Sequence, residues 1–130
     1  MKDIGLLILR SFSGAFILFG HGLMKVQNLF SGGDIKFADP IGIGMGLSLT
    51  LSAFAEFFCA GMLVLGLFPR VSVAILIINM FVAGIIHHSP DPFAVKEKAL
   101  LYLVIFVSLF ILGAGKYSIN ELLPSKYRKF

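Results

Sequence analysis

An acidic residue near the middle of an apolar run is the first place in this sequence where chemistry is expected. Glu56 lies within Ile43–Phe68, a stretch broken only by small and weakly polar residues. About 20 apolar residues at roughly 1.5 Å each span the hydrocarbon of a bilayer, so this run is long enough to cross one. A carboxylate at that depth costs at least about 2.5 kcal/mol unless it is protonated or paired. Glu56 therefore requires a partner, a cavity or a proton-linked role. The first apolar segment offers partners, because Arg10, Gly14, Ile17, His21 and Lys25 recur at helical spacing and share one face. Helix rise places Arg10 about 9 Å, Asn79 about 12 Å and Glu56 about 18 Å from one edge. The expectation is an Arg10–Glu56 pair, with Asn79 as its hydrogen-bonding neighbour, because the guanidinium fork suits a carboxylate. Ser52 and Cys59 lie one turn either side of Glu56.

A second group is expected at the opposite mouth, where His21, Lys25, His87, His88, Lys96, Glu97 and Lys98 would converge. Such a cluster suits an anion, a polar headgroup or a proton relay. Each feature also has a plainer reading. The Arg10–Glu56 pair is equally well a clasp that fixes helix register, and for His21, as for most lone histidines, the plainer reading is an interfacial residue bonded to a carbonyl or water. His87 and His88 precede a Pro-rich loop, where solvation accounts for at least one of them. His21, His87 and Glu97 are zinc-type ligands, but no i,i+4 His pair or HExxH spacing exists, so no metal site is expected. Cys59 is the only cysteine, which excludes an intrachain disulfide and cysteine-based clusters within this chain.

The elements that must hold these residues are set by composition. The 130 residues are 58% hydrophobic and 14% charged, with mean hydropathy +0.94. A soluble domain carries about 25% charged residues, so this chain reads as an integral membrane protein. Four apolar segments stand out: Ile4–Met24, Ile43–Phe68, Val71–Ile86 and Ala99–Gly115. The first is too long for a signal peptide and is followed by a turn-like Lys25–Asn28 without a cleavage site. Pro69 fits the first turn of the third helix, and Leu67–Arg70 a tight hairpin between antiparallel neighbours. Gly14, Gly61, Gly66 and Gly84 are expected to permit close helix contact. Ser118–Glu121 fits a short interfacial turn. Four crossings place both termini on one side, where seven basic residues (Lys2, Arg10, Arg70, Lys116, Lys126, Arg128, Lys129) face four on the other (Lys25, Lys36, Lys96, Lys98). The positive-inside rule then makes the termini cytoplasmic. The basic residues form no long run, and nucleic-acid binding is not expected.

These residues resemble the DoxX family of small four-helix membrane proteins. The resemblance rests on LLILR with Arg10, FGHGLMK with His21, Gly22 and Lys25, SAFAEFFCAGMLVLGLFPR with Glu56, Gly66 and Arg70, and KEKALLYLVIFVSLFILGAGKYSIN with Glu97 and Tyr102. It implies an all-α, four-transmembrane-helix bundle forming one domain over residues 1–130, multi-pass in an inner or plasma membrane. It also implies a redox association, because the family includes the small subunit type of a thiosulfate:quinone oxidoreductase and proteins linked to thiol, oxidative and quinone stress. Some of these work with soluble redox enzymes. No haem, flavin or iron–sulfur motif is recognisable here, so any electron carrier would be a partner or a quinone, and any enzymatic role that of an oxidoreductase subunit. The expected partners are membrane lipids, a quinone or similar amphiphile near Arg10 and Glu56, and a soluble redox enzyme or a second copy of the chain. Two alternatives stand beside this: a non-enzymatic membrane chaperone, assembly factor or scaffold, and a small proton-coupled exporter. The exporter is disfavoured because in small multidrug transporters the embedded Glu lies in the first helix.

Overall fold

The computed structural model describes all 130 residues, Met1–Phe130. The apolar segments become helices α1 (Lys2–Leu29), α2 (Met45–Leu65), α3 (Pro69–His87) and α4 (Phe93–Leu112). The chain contains no strand. In an apolar surrounding every backbone N–H and C=O must be satisfied within its own segment, and a helix does this.

Each helix ends where the sequence supplies a stop. Helix α1 runs five residues past Met24, through the stretch expected to turn. Lys25, Val26, Gln27 and Asn28 contain no breaker, and the helix continues until Ser31, Gly32 and Gly33. Asp39 prepares the start of α2, its carboxylate accepting the amides of Ile43 (2.8 Å) and Gly44 (2.9 Å) and the Ser48 hydroxyl (3.1 Å). Gly66 ends α2 in the left-handed region at φ 72°. A Cβ there would collide with the Ser118 side chain and lie 2.9 Å from Nη1 of Arg10, so glycine is needed for space as well as for backbone. Pro69 opens α3 as expected. Helix α4 begins at Phe93, earlier than the apolar pattern alone indicates, and takes Lys96, Glu97 and Lys98 into its first turns.

The helices pack in sequence order. Helix α1 lies most extensively on α2, α2 packs on α3 and α3 on α4, which returns to touch α1. The shared core includes Ile17, Cys59, Leu63, Leu76, Phe106 and Leu109. Large apolar side chains such as Phe16, Phe19, Ile78 and Ile111 face outward, each at least 60% exposed, as they do where lipid is the solvent. Helices α1, α2 and α3 are long and apolar enough to cross a membrane. The charged start of α4 leaves fourteen residues beyond it, Ala99–Leu112. The two chain ends meet at one end of the bundle: the Lys116 amide donates to Asp3 at 3.1 Å and the Val71 amide to the Phe130 carbonyl at 2.8 Å.

Three helices carry a π turn: Leu18–Gly22 in α1 and Val82–His87 in α3 toward the other end, and Phe54–Cys59 near the middle of α2. An i→i+5 turn shifts the side chains that follow it and is often found at functional sites. Here the π turns bracket His21, Glu56 and His87.

Candidate functional site

Glu56 is 5% exposed and sits about 14 Å along α2 from Leu65. Its Oε2 is paired with the Lys25 ammonium. Its Oε1 accepts from Nδ2 of Asn79 at 2.7 Å. Asn79 is therefore the neighbour expected from the sequence, but Arg10 is not the partner. Arg10, 1% exposed, donates instead to the carbonyls of Leu63 (3.0 Å), Val64 (2.5 Å) and Tyr117 (2.6 Å), and its Nε bonds nothing.

The reason for the correction is the direction in which helical side chains lean. The Cα–Cβ bond tilts toward the helix N-terminus. On α1 that is toward the chain ends, so Arg10 points away from Glu56 and into the last turn of α2. Lys25 leans the same way from further along and thereby comes down onto Glu56. Gly22, one turn before Lys25, lets α1 come this close. A Cβ on Gly22 would fall inside the backbone of Glu56 and 2.7 Å from the Phe57 amide nitrogen.

The second expected cluster does not assemble as one. Lys25 is engaged by Glu56. His88 binds Asp91 at 2.8 Å and meets His87 edge-on, with ring centroids 4.5 Å apart. Lys96 donates to the Ser89 carbonyl at 3.2 Å. Glu97 is exposed and forms no ion pair. His21 is half-buried, within electrostatic reach of Lys98, Glu56 and Lys25, and makes no side-chain hydrogen bond. His21, His87 and Glu97 form no ligand set, and no group of three or more metal-ligating side chains is present.

Beside the Glu56 pair lies a cavity of about 390 Å³ between α2 and α3, roofed by the loop through Phe37, Pro40 and Ile41. Its wall is mostly apolar, and the exceptions are Ser48, Ser52, Asn79 and His87. Asn79 thus has one side on the carboxylate and the other on the cavity. The Ser52 hydroxyl has no partner within the protein, whereas Ser48 is held by Asp39. Sequence reasoning found Ser52 and Asn79 by their proximity to Glu56. It missed the cavity, which exists because the loop folds back over α2. The one signal for that fold was Asp39 ahead of Gly42 and Gly44, a capping residue before a helix.

Desolvation is the largest single influence on the Asp39 carboxyl and acts to raise it. It is outweighed by the hydrogen bonds from Gly44, Ser48, Ile43 and Gly42, which hold the group below its ordinary value.

Lipid-facing helices around a buried ion pair define a polytopic helical membrane protein. The DoxX family model matches residues 5–89, and the chain belongs to the DoxX family. The matched region contains Lys25, Glu56, Asn79 and His87. No curated protein and no solved structure matches the chain.

Proposed function

We propose that this protein is a redox-associated subunit of the inner or plasma membrane that holds a quinone or similar amphiphile in the cavity between α2 and α3. The observation that carries the reading is that cavity, an apolar chamber with a few polar groups backed by the Lys25–Glu56 pair. A quinone head requires donors to its carbonyl oxygens in otherwise apolar walls. The Ser52 hydroxyl, the Asn79 amide and the His87 imidazole at the mouth are suited to this. When bound, a quinone supplies two-electron carrier chemistry. The chain's own contribution is to orient the head through Asn79, to surround it with apolar walls and to set the Lys25–Glu56 pair behind it. Arg10 belongs to the other end of the helices and has no part in this site. Electrons come from a soluble redox partner. In this reading α4 completes four crossings, and the seven-to-four bias of basic residues places the termini in the cytoplasm.

The test is native mass spectrometry with lipid extraction on wild type and Asn79→Leu, both purified gently from a respiring host. A quinone held by wild type and lost from a folded Asn79→Leu supports the reading. A folded wild type that retains no amphiphile sinks it.

A specific observation favours a second reading, a scaffold or assembly protein without a ligand. Both Glu56 oxygens have protein partners, as do both terminal nitrogens of Arg10, so these charges are self-contained. Under that reading a Lys25→Met/Glu56→Leu double variant keeps its partner complexes, which co-purification would reveal. The same engagement of Glu56 disfavours a proton-coupled exporter, whose carboxylate must be released and reprotonated. Proton-driven transport in proteoliposomes is the result that would favour it.

A further inference from the structure

The end of the bundle where the termini meet holds a second cleft, of about 340 Å³ and opposite character. Its walls are Pro69 and Arg70 at the start of α3, Leu112–Lys116 where α4 gives way to the C-terminal segment, Asp3 of α1, and Ser118, Asn120, Glu121 and Arg128 of that segment. Its cations are only partly engaged. Arg70 donates Nε to the Phe110 carbonyl at 3.1 Å and Nη1 to the Lys129 carbonyl at 3.4 Å, while Nη2 lies alongside Gly113 with no acceptor. Arg128 donates Nε to Leu123 at 2.9 Å and approaches Glu121 only at 3.8 Å. Lys116 pairs with no carboxylate. On the acceptor side Asn120 is 4% exposed, its Nδ2 donating to Arg128, and its Oδ1 has no partner in the protein.

A polar cleft with unused guanidinium donors on one side and the exposed Glu121 carboxylate on the other suits a ligand that carries both a phosphate and a hydroxyl, the Asn120 Oδ1 being closed off behind that wall. Its level decides which such ligand. The cleft sits where α3 enters and α4 leaves the apolar span. Directly beside it, Val71 and Leu112 are exposed, at 43% and 48%, with Ile111 at 69%. They offer an apolar track leading away from a bound phosphate. The C-terminal segment around the cleft combines exposed Leu122 with Lys116 and Lys126 lying over the rings of Tyr117 and Tyr127, a composition suited to the headgroup zone.

We propose that this cleft seats the headgroup of an anionic, hydroxyl-bearing phospholipid from the adjacent leaflet. The phosphate lies between Arg70 and Arg128 with Lys116 at the rim, the headgroup hydroxyl faces the Asn120–Glu121 wall, and an acyl chain runs down past Val71 and Leu112. The site is independent of the cavity beside Glu56.

The experiment is native mass spectrometry of the full chain released from bilayers of equal parts phosphatidylglycerol and phosphatidylcholine. Wild type should retain phosphatidylglycerol over phosphatidylcholine by about tenfold, the scale of one charge-assisted hydrogen bond. The Lys116→Gln/Arg128→Gln double variant should lose the preference. Lys126→Gln/Lys129→Gln, which removes equal charge outside the cleft, should keep it, and Arg128→Lys should retain most of it. Thermal unfolding of each variant shows that the comparison is among folded proteins. An absent preference in wild type, or equal loss in the two double variants, overturns the proposal in favour of diffuse surface charge. Inorganic phosphate added in millimolar excess should leave the lipid in place. Complete displacement, with phosphate then bound in phosphatidylcholine bilayers, overturns it in favour of a soluble phosphate ligand.

Discussion

Arg10 and Glu56 are both buried charges, yet the molecule solvates them by opposite means. Arg10 meets no carboxylate. Its donors go to Leu63 and Val64, carbonyls in the last turn of α2, and to Tyr117. A helix C-terminus exposes unpaired carbonyls and carries about half a negative charge, so a guanidinium there is stabilised without a counter-ion. Glu56 lies mid-helix, where backbone groups are already taken. It requires an ammonium and an amide from two other helices. A cation can be stabilised by the end of a helix, whereas an anion in the middle of one must be met by side chains. The Arg10 end is thus built from backbone and the Glu56 site from residues that can be exchanged, which makes the second the better place for a function to reside.

The comparison can be broken most severely at Gly22. Gly22→Leu drives a side chain into the Glu56 backbone, and the expected outcome is no folded protein, measured as loss of the monodisperse peak in detergent. The corresponding close approach at Gly14, against the Val64 side chain and the Ala60 carbonyl, should tolerate Ala better because a side chain can shift. Next in size is Lys25→Met, which strands a buried carboxylate and should cost about 3–5 kcal/mol in chemical or thermal unfolding. The Lys25→Met/Glu56→Leu double variant should recover most of that loss. Additive losses would mean that the two side chains do not act as a pair.

Arg10→Met should cost about 3 kcal/mol, because it leaves carbonyls unmatched, and no change at Glu56 should rescue it. Rescue by Glu56→Leu would revive the Arg10–Glu56 pairing and undo the contrast. Asn79→Leu removes one hydrogen bond to a charged group and should cost about 1.5–3 kcal/mol, less than loss of Lys25. The smallest effect is expected outside the membrane. Asp39 has a depressed folded value, so its stabilising contribution is complete above the ordinary carboxyl range and is lost as pH falls through that lower value. Melting curves from pH 7 down to pH 3 should show wild type and Asp39→Asn converging at the acid end.

The sequence made α2 and α3 legible to within a few residues, because Pro69 in the Leu67–Arg70 hairpin marks their join and apolar content their length, although Gly66, expected to serve helix contact, instead ends α2. It also made the Asn79–Glu56 contact legible, since two polar residues in apolar runs at similar depth have few other partners. The Arg10 error shows where depth arithmetic fails. Rise along the axis places a Cα, whereas the lean of the side chain decides which neighbour is reached. The run of α1 through Lys25–Asn28 was hidden because polar residues look like a boundary when judged by hydropathy and like ordinary helix when judged by propensity. The π turns were not legible, and for the cavity only the Asp39 cap ahead of α2 gave a sign. Both arise from packing between segments distant in sequence and leave no periodic trace.

The third acceptor of Arg10 has a consequence for biosynthesis. Tyr117 lies 107 residues downstream of Arg10. A nascent chain inserting its first helix carries that guanidinium into the bilayer long before residue 117 leaves the ribosome. Until α2 arrives the charge must be tolerated by lipid headgroups or by the insertion machinery, and it is fully sequestered only once the C-terminal segment folds back. The segment around Tyr117 therefore completes a site that α1 begins, and a chain cut before residue 117 would leave the Arg10 guanidinium one acceptor short.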